Sequence, residues 1–159
     1  MNEGNTVNKL MPINVGKQGL DLVRHFEGFQ PQVYACPAGK PTIGFGHVVR
    51  EGETFNQPIS VQEAYDLLKK DLAIAEDALH RLVKVPLAIC QFDALASFIY
   101  NIGVGAFEKS TLLKRLNEGE DPYDVSSEIL KWVFAGKKRL KGLMRRREAE
   151  RFLFIKGST

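Results

Sequence analysis

Cysteine is scarce in this chain: among 159 residues there are only Cys36 and Cys90, too few and too far apart for a disulfide framework or a zinc ribbon. A reducing place of synthesis is the expectation, and no metal or other cofactor is implied. Long apolar runs are missing as well. No stretch approaches the roughly 18 residues that a membrane helix needs. Met1 to Asn14 has neither a basic start nor an apolar segment, so neither membrane span nor signal peptide is expected. Repeats and low-complexity tracts are absent, and 44% hydrophobic with 26% charged residues excludes a disordered or fibrous chain.

What is present fits one globular domain, long enough to bury roughly 70% of its extended surface without staples. The net charge of +3 hides an asymmetry: residues 1–130 carry 12 basic against 17 acidic side chains (−5), and residues 131–159 carry 10 against 2 (+8). A basic end suits an anionic partner such as nucleic acid, a lipid surface or an acidic wall polymer, or else a solvated helix face.

Residues 1–14 are patternless and read as a flexible leader. Leu20, Val23 and Phe26 at threes, with Leu22, predict a helix over 17–26 that ends near Gly28 with Glu27 at its C-terminal end. Gln32–Ala35 and Thr42–Val49 read as two short strands around the turn cluster Cys36–Pro41, the only convincing sheet. Ser60 with Glu63 forms a capping box for a long helix to about Leu82. Leu87–Ile102, apolar around much of its circumference, reads as a central buried helix closed by Gly103 and Gly105. Further helices are expected over 109–117, over 122–133 with Asp121 as N-cap, and over 143–155. The expectation is therefore a mostly helical α+β fold: a small N-terminal lobe near 15–57, a linking helix near 60–82 and a larger helical lobe near 83–157.

Glu27-Gly28-Phe29 through Gly46-His47 is the unusual stretch. Gly39, Gly44 and Gly46 crowd eight residues, and glycines inside a strand pattern mark bulges or places where a ligand approaches the backbone. Glu27 stands between Phe26 and Phe29, where partial burial disfavours the charged carboxylate and suits a general acid; a plain helix-end carboxylate is the other reading.

These residues resemble the phage lysozymes, or endolysins, of glycoside hydrolase family 24. That family's signature is a Glu, a Cys or Asp nine residues later, and a Thr six beyond that in a Thr-Ile-Gly-x-Gly-His strand. Glu27, Cys36 and Thr42-Ile43-Gly44-Phe45-Gly46-His47 satisfy each element. Phe92–Gly103 carries a second resemblance, and Trp132 with Ala135-Gly136, Leu140, Gly142-Leu143 and Arg146-Arg147 a third. The resemblance implies a two-lobed lysozyme-like fold and hydrolysis of the β-1,4 link between N-acetylmuramic acid and N-acetylglucosamine in bacterial peptidoglycan. It further implies a monomer held in the host cytoplasm until a holin opens the membrane. No specific nucleic acid is then expected as a partner.

Cleaving a glycosidic bond needs a proton for the leaving oxygen and a nucleophile at the anomeric carbon, usually from two carboxyl groups. Glu27 suits the proton donor. Where many relatives carry Asp, this chain has Cys36, so either a thiolate assists or a water is held by Thr42. Single displacement by that water, with inversion, is the first expectation and a covalent route the second. By resemblance Gly46, Tyr100, Asn101 and Arg146 are the substrate-binding candidates. Arg146 could instead pair with Glu27, as could Arg145 or Arg147. His47 reads as a structural histidine paired to a carboxylate, Phe107 and Trp132 as core or cleft wall, and Cys90 as buried packing. A Cys36–His47 hydrolase is the weaker rival, because Cys36 precedes Pro37 in a turn rather than opening a helix. A nucleic-acid module would leave the Glu-Cys-Thr signature unexplained.

Overall fold

The computed structural model describes residues 10–156. The leader expected over 1–14 lies outside them up to residue 9, but residues 10–14 are not loose. Leu10 O accepts from Leu87 N at 3.1 Å, Pro12 O lies 2.8 Å from His80 Nε2, and Met11 packs on the main core.

Helix α1 (Lys17–Glu27) buries Gly19, Leu20 and Val23. Its N-cap, Gly16, offers no side chain, so the orphan N–H groups of the first turn are met from a distance. Asp93 Oδ1 accepts from Gly16 N at 2.8 Å and Oδ2 from Gly19 N at 3.0 Å. Asp93 is fully buried, and this burial holds its acid above the usual carboxylate range against the opposing pull of the two amides. The helix that ends in Glu27 is thereby pinned to the centre of the protein.

Three strands follow where two were expected: β1 (Gln30–Ala35), β2 (Pro41–Gly44) and β3 (His47–Val48), antiparallel in the order β1-β2-β3. The expected second strand is broken at Phe45-Gly46 because Gly44 and Gly46 take φ values of 69° and 83°, which fold the chain back on itself. Thr42 pairs with Tyr34 on one side and Val48 on the other.

Helix α2 (Val61–Leu82) opens on the expected capping box, with Ser60 Oγ accepting from Glu63 N and Glu63 Oε2 from Ser60 N. Such a cap contributes about 1 kcal/mol. Helix α3 (Ile89–Ile102) is the axis of the larger lobe, and every residue from Gln91 to Ile99 is buried. Around it lie α4 (Val104–Glu108), α5 (Thr111–Asn117), α6 (Pro122–Ser126) and α7 (Lys141–Lys156). Helix α4 was not foreseen. The helix expected over 122–133 stops at Ser126 and tightens to a 3-10 turn at Ile129–Lys131.

A second hairpin, β4 (Phe134–Ala135) with β5 (Lys138–Arg139), corrects the expectation of a single sheet. The main core gathers Phe92, Phe98, Phe107, Leu112, Val125 and Phe154 around α3; a smaller core joins Leu20, Val23, Phe45, Leu68 and Leu72 between the lobes. Each such side chain contributes roughly 1.5–3 kcal/mol by leaving water. Among the described residues no helix is long and apolar enough to cross a membrane.

Candidate active site

A cleft of about 670 Å³ runs between the small sheet and the helices, lined by Glu27, Tyr34, Cys36, Thr42, Gly46, Asp71, Tyr100 and Asn101 among others. It gathers all the sequence-expected site residues except Arg146. Glu27 reaches it from the last turn of α1, where Gly28, at φ 70°, diverts the chain into β1. Its two oxygens are differentiated. Oε1 accepts from Arg146 Nη1 at 2.8 Å. Oε2 faces Gly46, where a Cβ would lie 2.7 Å away, with Tyr100 Oη 3.2 Å from the same point. Only a glycine leaves that oxygen accessible.

Cys36 opens the tight turn between β1 and β2. Gly39 N donates to Cys36 O at 2.7 Å and Cys36 N to Lys40 O at 3.0 Å, with Pro37 and Gly39 at the positions such a turn favours. The Lys40 amide hydrogen-bonds the Cys36 sulfur and pulls the thiol below its ordinary value against the opposing desolvation, with lesser help from the Ala38 amide, the Thr42 hydroxyl and the Lys40 charge. Thr42, buried at the centre of β2, holds its Oγ1 3.0 Å from Lys40 O. Thiol and hydroxyl are thus organised by one carbonyl and one amide of the same turn.

Tyr100, near the end of α3, donates from Oη to Phe45 O at 2.8 Å. Burial, then the nearby Glu27 charge, pushes its phenol up. Tyr34 is raised by the same two causes. Both rings stay neutral beside the carboxyl. Asn101 is exposed on the cleft, and its Oδ1 accepts from Arg147 Nη2.

Arg146 departs from its expected place among the substrate contacts. It is 4% exposed and stands behind Glu27, with Nη2 donating to Ser97 O at 3.2 Å. The choice left open among three arginines is resolved by the fold. Arg145 is exposed, while Arg147 turns inward to Trp132 O, Glu150 and Asn101. Two of the basic charges counted toward an anionic partner are therefore internal.

His47 meets Asp71 Oδ2 through Nδ1 at 2.7 Å and Glu53 Oε1 through Nε2 at 3.0 Å, which commits both ring nitrogens to carboxylates and leaves the Cys36–His47 rival without its base. Phe107 is core, and Trp132 packs edge-on against Phe98, 5.8 Å between centroids. Cys90 is only half-buried, its Sγ 3.2 Å from Gln18 Oε1, because it lies in the first turn of α3, next to the exposed Ile89.

Asp71, on the cleft wall and also 3.4 Å from Arg50 Nη2, was missed in the sequence. The signal existed: Asp71 falls in the stripe Leu68, Leu72, Ala75, Leu79, where a charge needs a partner.

An acid at a helix end beneath a small sheet, opposite a helical lobe and open to a cleft between them, defines a lysozyme-type protein. A family model described as phage lysozyme matches residues 24–150, and the chain belongs to that family. The endolysin of Bacillus phage B103 is 41% identical over 149 residues, 92% of this chain and 56% of that protein, so the chain spans just over half of that relative. The endolysin of Acyrthosiphon pisum secondary endosymbiont phage 1 is 39% identical over 89% of this chain and 98% of its own. Among solved structures, the muramidase domain of SpmX from Asticaccaulis excentricus superposes with a TM-score of 0.82 at 34% identity, covering 91% of this chain and 99% of that one. A mutant of P22 lysozyme gives 0.80 at 36%, with 91% and 99% covered.

Proposed function

We propose that the chain is an endolysin that hydrolyses the β-1,4 bond between N-acetylmuramic acid and N-acetylglucosamine in bacterial peptidoglycan. The observation that carries this reading is the asymmetric Glu27: one oxygen held by Arg146, the other open over Gly46 on the cleft floor. The 39% identical endolysin matched over nearly its whole length supports it.

Glu27 delivers its proton from Oε2 to the glycosidic oxygen as the bond to the anomeric carbon breaks. A water held by Thr42 Oγ1 and the Cys36 sulfur attacks that carbon from the other face and gives its proton to the Cys36 thiolate. The lowered thiol keeps more of Cys36 in the thiolate form that can accept it. Glu27 ends as carboxylate and Cys36 as thiol, and proton exchange with solvent restores both. The product is the inverted anomer. Asn101 and Tyr100 line the sugar path, the amide suited to an N-acetyl group.

Purified peptidoglycan digested by the protein, reduced with borohydride and analysed by mass spectrometry, should carry new muramic acid reducing ends. New glucosamine ends or free amino groups would replace this reading by a different bond. On the same reading the enzyme acts as a monomer and reaches the wall once a holin has opened the membrane. Cells expressing the chain should then lyse only with a holin co-expressed.

A further inference from the structure

We propose that Glu150, a fully buried carboxylate on α7, is a positioning residue through which one side chain fixes both the acid and the amide of the cleft; this rests on the reading of Glu27 as the proton donor. Glu150 touches neither the cleft nor solvent. Its Oε1 accepts from Arg147 Nη1, and its Oε2 accepts from Ser97 Oγ at 2.8 Å and lies 3.5 Å from Arg146 Nε. The two arginines, 4% and 1% exposed, each face forward to one working group. Arg146 Nη1 reaches Glu27 Oε1 and Arg147 Nη2 reaches Asn101 Oδ1.

Each guanidinium has a backbone anchor too, Ser97 O for Arg146 and Trp132 O for Arg147, and each lies over an aromatic ring, Phe26 or Phe98. What those contacts do not provide is charge. With Glu27 protonated, Glu150 leaves a single net positive charge on the pair Arg146 and Arg147, and with Glu27 ionised the four groups sum to zero. Without the Glu150 charge, two adjacent buried cations would face one carboxylate, Glu27, and would hold it in the ionised form that has no proton to give. Glu27 is also faced by the neutral phenols of Tyr34 on β1 and Tyr100 on α3, with Cys36 beyond the first and Asp71 beyond the second. None of these compensates for the lost charge.

A buried ion network is a weak source of stability, since apolar replacements of the same volume often do as well. Here its geometry has a use. With Asn101 Oδ1 occupied by Arg147, the amide presents Nδ2–H to the cleft and so donates to a carbonyl, as an N-acetyl group requires.

The test is steady-state lysis kinetics across pH for the parent, Glu150→Gln and the double variant Glu150→Leu/Arg147→Met, with melting curves for each. Glu150→Gln should lower kcat about 10-fold or more, and the alkaline limb of its activity profile should move to lower pH. The double variant removes one charge of each sign, so its pH profile should match the parent's while KM rises several-fold as Asn101 loses its orientation. A lytic parent with Glu150→Gln matching it in kcat and pH profile overturns the inference. So does a double variant with the parent's KM, which decides the matter if Glu150→Gln does not fold. A parent with no lytic activity at all would instead reject the underlying reading of Glu27.

Discussion

Arg146 Nη1 donates to Glu27 Oε1 at 2.8 Å, tying the last helix to the first across 119 positions of chain. The same guanidinium also reaches Ser97 O, which a lysine ammonium, a compact point charge on a flexible stem, cannot do while holding Glu27. Arg146→Lys should lower the lysis rate about 10-fold or more, a loss unchanged between about 0.05 and 0.5 M salt because buried pairs are screened little. Turbidity clearing at the two salt concentrations checks this. Parental activity in the variant would show that the pair does not orient the acid.

Gly46 carries a steric condition on the same acid. Its φ is 83°, and Glu27 Oε2 stands 2.7 Å from the point a Cβ would occupy. Gly46→Ala should therefore cost about 1–2 kcal/mol in left-handed strain and displace the acid. Activity should fall well beyond what the shift in melting temperature explains. A folded Ala variant with parental rates would mean that Oε2 is not the reacting oxygen.

Cys36 is tested in a Cys90→Ala background, because Cys90 is half-buried rather than sealed. Cys36→Asp should retain substantial activity and Cys36→Ala should lose most of it. The lowered Cys36 thiol should alkylate faster near neutral pH than a free cysteine, whose thiolate is then a minor species. Thr42→Val removes one hydrogen bond that favours the thiolate, so its alkylation profile should move to higher pH. An unmoved profile would assign the depression to the turn amides and the Lys40 charge.

Asp93 predicts a stability effect far from the chemistry. Its acid is raised in the native state by burial, so the folded protein holds that proton more tightly than the unfolded chain. The contribution is largest below the unfolded value, near 3.9, and is lost as pH rises through the folded one. Asp93→Asn should flatten this part of the stability curve. It should also lower stability by about 1–3 kcal/mol at neutral pH, since one of the two Gly16 and Gly19 amides loses its acceptor. Urea unfolding from pH 4 to 8 measures both.

The parts of this molecule written in local chemistry were legible in the sequence. Ser60 and Glu63 announce a helix start, and the apolar circumference of 92–99 announces a buried one. What escaped were features made by distant partners or by very short elements. The hairpin at Phe134–Arg139 has two residues per strand, below any readable alternation. Helix α1 has no local cap because Asp93, 77 positions from Gly16, supplies it. The pairing of Arg146 rather than Arg145 was readable in principle. Arg146, Arg147, Glu150, Leu153 and Phe154 are the buried residues of α7 and recur at threes and fours, a charged inward stripe that only its partners in α1 and α3 explain. Within the site, the resemblance carried by Glu27, Cys36 and Thr42 pointed to three residues that line the cleft, whereas Asp71 became visible only once His47 and Arg50 stood beside it.

Glycosidic cleavage by this protein turns on the proton that Glu27 supplies. Its most direct measurement is the yield of new muramic acid reducing ends from purified peptidoglycan, for the parent and for Glu27→Gln, with melting curves showing both folded. The amide keeps the shape but has no proton to donate, so the yield per unit time should fall at least about 10²-fold while Arg146 and the cleft stay in place. A folded Glu27→Gln protein that releases muramic acid ends within a few-fold of the parental rate would mean that the proton comes from another group.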